Sequence, residues 1–250
     1  MPRILLEVEY LGVAYHGWQR QPEGIPSVQA TLEAALMQLL QHPVEVVAAG
    51  RTDKGVHARC MKAHFDTPTK RRLYSYIAGA NRFLPPDIRV HAAEHVADDF
   101  HARFSALARH YHYQILNQPV ASCLLQDRVL WHRHALDVDL MHEAAQFLVG
   151  THDFSSFRSQ ECQAKSPIKT LHFCRVTRQD NLIIVDVKAS GFLHHMVRNI
   201  VGVLLKIGEK KYPPEWMQSV LEAKNRVAAA MTIPPQGLYF VGVDYPAAVL

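Results

Sequence analysis

The chain is short of cysteines and has no long apolar run, and each shortage narrows what it can be. Only Cys60, Cys123, Cys162 and Cys174 occur in 250 residues, with no C-x-x-C pair. A chain this long does not need a disulfide framework, so free thiols in a reducing cytoplasm are expected. No uncharged apolar stretch approaches the length of a membrane span, and Glu7 follows Met1 too soon for a signal h-region. A soluble, cytoplasmic protein with no membrane partner is expected. There is no long basic tail either; the formal net charge is +4, a mild excess that permits an anionic partner without demanding one. Gly50 and Gly55 have the gap of a phosphate-binding loop, but Val56-His57 stands where Lys-Ser/Thr would reach phosphate and magnesium, which argues against a nucleotide cofactor.

What is present is patterned. Residues 3 to 10 alternate, with Ile4, Leu6, Val8 and Tyr10 on one face of a strand, and Ser27 caps a helix carrying Val28, Leu32, Ala35, Leu36 and Leu39. Strands at 44 to 49, 56 to 65 and 88 to 96 and a helix at 71 to 80 complete a β-α-β-β-α-β order. The second half repeats it: strand 107 to 116, helix 138 to 149 behind Asp137, strands 169 to 177 and 182 to 189, helix 192 to 207 and strand 238 to 244. A further helix is inserted after Pro213-Pro214. The fold class predicted is α+β, two ferredoxin-like halves with mainly antiparallel sheets flanking a central cleft. The boundary is placed at 104/105, giving residues 1–104 and 105–250.

Chemistry is expected in Gly50-Arg51-Thr52-Asp53-Lys54-Gly55, where a lone carboxylate sits between two glycines and two cations. The glycines let the backbone turn sharply, and neighbouring cations favour an ionised carboxylate, so Asp53 is a candidate nucleophile. The same residue types also build ordinary turns. On strand 107 to 116, Arg109, Tyr111 and Tyr113 share one face and His110 and His112 the other; a cation with two aromatics suits a flipped base, and tyrosines also simply favour strands. On helix 192 to 207, His194 and Arg198 fall at i and i+4 beside Met196, Ile200 and Val203, and Asp53 is a reasonable carboxylate partner for Arg198.

Sixteen histidines raise the question of zinc, with His57, Cys60 and His64 close together and His132 and His134 two apart. On an alternating strand His57 and Cys60 point to opposite faces, and no H-E-x-x-H is present, so no metal is expected. Basic residues recur at Arg20, Lys70-Arg71-Arg72, Arg103, Arg158, Lys165, Lys169, Lys206 and Lys210-Lys211. Each group alone is a solvated face; converged, they would form a phosphate track.

Ordered motifs then join these features. They are Tyr10-Leu11-Gly12 through Tyr15-His16-Gly17-Trp18-Gln19-Arg20-Gln21, the segment Ala49 to His57, Asp98-Asp99-Phe100-His101-Ala102-Arg103-Phe104-Ser105, Arg109-x-Tyr111-x-Tyr113, Phe154-Ser155-Ser156-Phe157-Arg158, His194 to Gly202, and Gly237-Leu238-Tyr239. In this set and order the chain resembles the tRNA pseudouridine synthases of the TruA type over nearly its whole length. The resemblance implies the pseudouridine synthase fold and isomerisation of uridine at positions 38 to 40 of the tRNA anticodon stem-loop, by a homodimer without a cofactor. It implies that Asp53 is the catalytic aspartate and Arg198 its basic partner. Tyr111 and Leu238 then contact the target base, and Arg51 holds the flipped nucleotide out of its stack. One position departs from that family, where the residue after the aspartate is usually alanine and here is Lys54.

Two readings compete with this one. A non-catalytic RNA-binding protein would use the same basic and aromatic residues without turnover, and a metal-dependent hydrolase would use the histidines.

Overall fold

The computed structural model describes residues 1–247. In chain order the strands and helices are β1 (Arg3–Tyr10), α1 (Val28–Leu40), β2 (Val47–Ala48), β3 (His57–Asp66), α2 (Leu73–Phe83), β4 (Ile88–Val96), β5 (Ala108–Asn117), β6 (Leu130–His132), α3 (Val138–Gln146), β7 (Gly150–Asp153), β8 (Ile168–Gln179), β9 (Leu182–Ala189), α4 (Met196–Gly208), α5 (Trp216–Glu222) and β10 (Leu238–Asp244). The fold is mixed α+β. Two compact units form: Met1–Ala108 together with the chain from Tyr239 onward, and Arg109–Leu238. Among the described residues no helix is long and apolar enough to cross a membrane.

In the first unit the sheet order is β4-β1-β3-β10, with β2 also on β3. β1 runs antiparallel to β3 and β4. Strand 238 to 244, which the sequence pattern groups with the second half, pairs here in parallel with β3 through Tyr239–His57 and Phe240–Ala58. Ile4, Leu6, Val8 and Tyr10 are buried as the alternation predicts, but so is Leu5 on the other face, beneath Phe100 and Ala102. The return segment from Ala97 to Ala102 gives the sheet a second covered face, and the Tyr245 hydroxyl ties it down by donating to the Ala102 carbonyl at 2.8 Å.

Two elements differ from their sequence patterns for local reasons. The apolar run 44 to 49 yields only the two-residue β2, because the Val46 amide donates to the buried Glu33 carboxylate at 2.8 Å instead of to a strand. Gln29 donates to the same carboxylate at 3.1 Å, so a helix side-chain network replaces the ladder there. α2 starts two residues later than expected, behind Arg72, whose side chain gives no cap, and stops just before Pro85-Pro86, which cannot continue it.

In the second unit the order is β5-β9-β8-β7, with the short β6 parallel to β5. Asp137 caps α3 by accepting from the Leu140 amide at 3.2 Å. The helix ends at Gln146 rather than 149, because the chain must turn through Gly150 (φ +112°) into β7. α4 begins at Met196, not at 192. His195 ahead of it is left-handed (φ 62°), a conformation that cannot extend the helix backwards. His194 therefore lies in the preceding turn, and its expected i, i+4 relation to Arg198 on one helix does not form.

Candidate active site

The aspartate loop is fixed from beneath by the chain that follows β1. The Trp18 amide donates to the Thr52 carbonyl at 3.0 Å, and the hydroxyls of Tyr10 and Thr52 share a buried hydrogen bond of 2.8 Å. Gly17 (φ +91°) lies so close that a Cβ on it would stand 2.4 Å from the Thr52 carbonyl oxygen. The turn closes with the Val56 amide donating to the Asp53 carbonyl at 3.1 Å, with Gly55 at φ 80°. Thr52 is thus buried, while Asp53 is half-buried and Arg51 exposed. The Lys54 ammonium lies 3.2 Å from His16 Nε2, so this lysine is anchored to the supporting loop. A carboxylate on such a turn is presented by backbone geometry, which is how a nucleophile or base is preorganised.

Beside the loop, His57 is fully buried. Its Nδ1 accepts the Gly12 amide at 2.9 Å and its ring packs 4.7 Å from that of Tyr239. His64 is buried too, and its Nδ1 accepts the Ala102 amide at 3.1 Å. Burial lowers the His64 pKa to about 4. Burial, with Glu7 beside it, pushes the Cys60 thiol up to about 11. These three groups serve the packing of β3.

In the second unit Tyr111 is buried on β5 with its ring edge-on to Phe192 at 5.0 Å. Tyr113, two residues on, donates its hydroxyl to the Pro234 carbonyl at 2.8 Å, and burial raises its pKa. Arg198 is half-buried on α4, and its Nε donates to the Ile233 carbonyl at 2.7 Å. Leu238 is buried at the start of β10, just after the segment that Tyr113 and Arg198 hold. Tyr111, Arg198 and Leu238 therefore belong to the second unit, and Asp53 and Arg51 to the first.

One residue that the sequence motifs do not mark as a site organises this part of the second unit. Asn199 is fully buried; its amide donates to the Phe157 carbonyl at 2.8 Å, and its oxygen accepts from Thr232 at 2.6 Å and Arg226 at 3.1 Å. One residue after Arg198, it fastens both the Phe154–Phe157 motif and the chain leading to Leu238 onto α4. A polar residue inside an apolar helix was the available signal, because buried amides need partners.

Several of the basic residues have structural partners. Lys210 pairs with Asp137 at 3.0 Å, and Lys206 and Lys211 with Glu209 at 3.3 and 2.6 Å. Burial alone would raise the Glu209 pKa, but Lys211, His132 and Lys206 hold it at about 2. Arg20 pairs with Glu33, and Arg158 donates to the Cys162 and Ala164 carbonyls at 2.6 and 2.9 Å.

Comparison with known proteins gives the class first. Residues 7–105 and 144–246 match the family described as tRNA pseudouridine synthase, a span that includes the Asp53 loop, Arg198 and Leu238. The matched segments are those of a family of isomerases. The tRNA pseudouridine synthase A of Pseudomonas aeruginosa is 51% identical over 98% of this chain and 86% of its own length. Those of Nitrosococcus oceani and Colwellia psychrerythraea are each 50% identical over 98% of this chain and 94% of theirs. The chain belongs to the tRNA pseudouridine synthase family.

Proposed function

We propose that the protein converts uridine to pseudouridine at positions 38 to 40 of the tRNA anticodon stem-loop, with Asp53 as its nucleophile or base. The observation that carries the role of Asp53 is its loop: a half-buried carboxylate on a turn whose preceding residue is clamped by Tyr10, Gly17 and Trp18. Such support is unnecessary for a surface turn and necessary for a group that must meet a reacting atom.

The reaction breaks the N1–C1′ bond, rotates the uracil and joins C5 to C1′, while the C5 hydrogen leaves as a proton and the freed N1 takes one up. Atoms balance without a metal or redox partner. The target uridine leaves its stack, Tyr111 and Leu238 pack its base, Arg51 supports the distorted backbone, and Arg198 is the basic partner of Asp53. Attack at C6, attack at C1′ and a glycal route begun by removing a sugar proton all use the same carboxylate. The active form is a homodimer in the cytoplasm, with tRNA as its partner.

The test is tritium release to water from tRNA transcribed with C5-tritiated uridine, with wild type, Asp53→Ala, and wild type plus chelator. Chelator-resistant release that disappears in the variant supports the reading. A folded protein that binds tRNA without release would instead be an RNA-binding module, and chelator-sensitive turnover would favour metal chemistry. Light scattering of the free protein tests the dimer.

A further inference from the structure

We propose that His110, His112 and Asp186 form a site for a divalent transition ion of the zinc type, a clip between β5 and β9. His110 and His112 are two apart on β5, so strand alternation sends both to one face, and Asp186 is the direct cross-strand partner of His112. The ring nitrogens and the carboxylate converge, with one donor atom from each residue within 4.8 Å of the others. The Nε2 atoms of both histidines meet the same oxygen, Asp186 Oδ1; the His112 contact is 3.4 Å and the His110 contact shorter.

Zinc bonds of about 2.0–2.2 Å ask the three atoms to approach a common centre, a rotamer-scale adjustment from this arrangement. Two imidazoles and a carboxylate suit a borderline ion such as zinc or cobalt and not magnesium, which takes oxygen ligands. The side chains are 27%, 24% and 26% exposed, so an ion can enter and keep a water ligand.

Tyr111, Val185 and Val187 alternate with these residues and fill the buried face, so the cluster lies on the opposite face of the sheet. Two cations share that face. Arg175 is opposite Asp186 on β8 and carries its guanidinium 4.8 Å over the Phe173 ring, and Lys188 is opposite His110. Phe173 also packs edge-on to His110 at 5.5 Å, which restrains that imidazole. The histidines the sequence singled out for zinc do not gather in this way: His57 and His64 accept backbone amides, and His132 contacts Glu209 at 3.0 Å.

The experiment is a Co2+ titration of the untagged full-length protein at pH 7.5, read by visible absorption, followed by Zn2+ competition. Expected are a d–d band saturating at one equivalent, its loss on adding Zn2+, and a melting temperature that rises with free Zn2+. His110→Gln and Asp186→Asn should each weaken binding at least about a hundredfold, whereas His172→Gln, an exposed histidine on β8, should not change it. No saturable band in wild type, or a band retained when His110 and His112 are both replaced by Gln, overturns the proposal. If the variants fold poorly, anomalous scattering from a zinc-soaked wild-type crystal decides it: an ion among the three side chains supports the site, and its absence there overturns it. Tritium release should persist in chelator, so failure of the clip and failure of the Asp53 chemistry are separately visible.

Discussion

Tyr10 and Thr52 share a hydrogen bond of 2.8 Å inside the first unit, joining the end of β1 to the residue before Asp53. Both side chains are buried, at 1% and 7% exposure, so water does not replace the bond when one partner is removed. Thr52→Val keeps the shape and removes the hydroxyl. It should cost about 1–2 kcal/mol of stability and lower kcat by roughly ten- to a hundredfold through misplacement of the carboxylate. Urea melts and tritium-release kinetics check this; a kcat equal to wild type would separate the hydroxyl pair from catalysis.

Gly17 makes a sharper probe of the same support. Its φ of +91° and the 2.4 Å approach of an added Cβ to the Thr52 carbonyl leave no room for a side chain. Gly17→Ala should destabilise by about 1–3 kcal/mol through the backbone strain alone. The loop can move to relieve the contact, so tritium release should fall further than tRNA binding does, as measured side by side by filter binding.

Asn199→Leu tests the network on α4. It strands the Phe157 carbonyl and takes one acceptor from Arg226 and Thr232. The expected loss is about 2–4 kcal/mol, typical of breaking a buried polar network. Arg198 and Leu238 flank the segment this network secures, so activity should drop even at temperatures where the variant remains folded by circular dichroism.

His64 should make stability depend on pH. Its folded pKa is about 4 because burial penalises the charged ring, while in the unfolded chain it titrates near the ordinary histidine value of 6.5. Between those values the unfolded state binds more protons, so stability is full above pH 6.5 and is lost as pH falls towards 4. The contribution is up to about 3 kcal/mol. Urea midpoints at pH 7.5, 5.5 and 4.5 should decline in wild type and decline less in His64→Gln; equal slopes would assign the effect to other groups.

The candidate site was partly legible in the chain. Asp53 stood out because glycines and cations crowd one carboxylate in a short span, a purely local pattern. Asn199 carried a weaker signal, a polar residue in an apolar helix, and its partners Phe157, Arg226 and Thr232 are too far along the chain for spacing to reveal them. His110 and His112 were visible as a pair on one strand face, but Asp186 joins them only through the register of β5 and β9.

The sequence by itself determined the mixed α+β class, most element positions and the loop that bears the carboxylate, since hydrophobic period, caps and turn residues act over a few neighbours. Tertiary structure alone decided that β2 shrinks to two residues, because Glu33 captures the Val46 amide from a helix 13 residues away. It alone decided that Leu5 is covered, and that β10 pairs with β3 across more than 180 positions of chain. These outcomes depend on which distant groups satisfy a buried backbone amide or an exposed strand edge, and no local pattern encodes that choice.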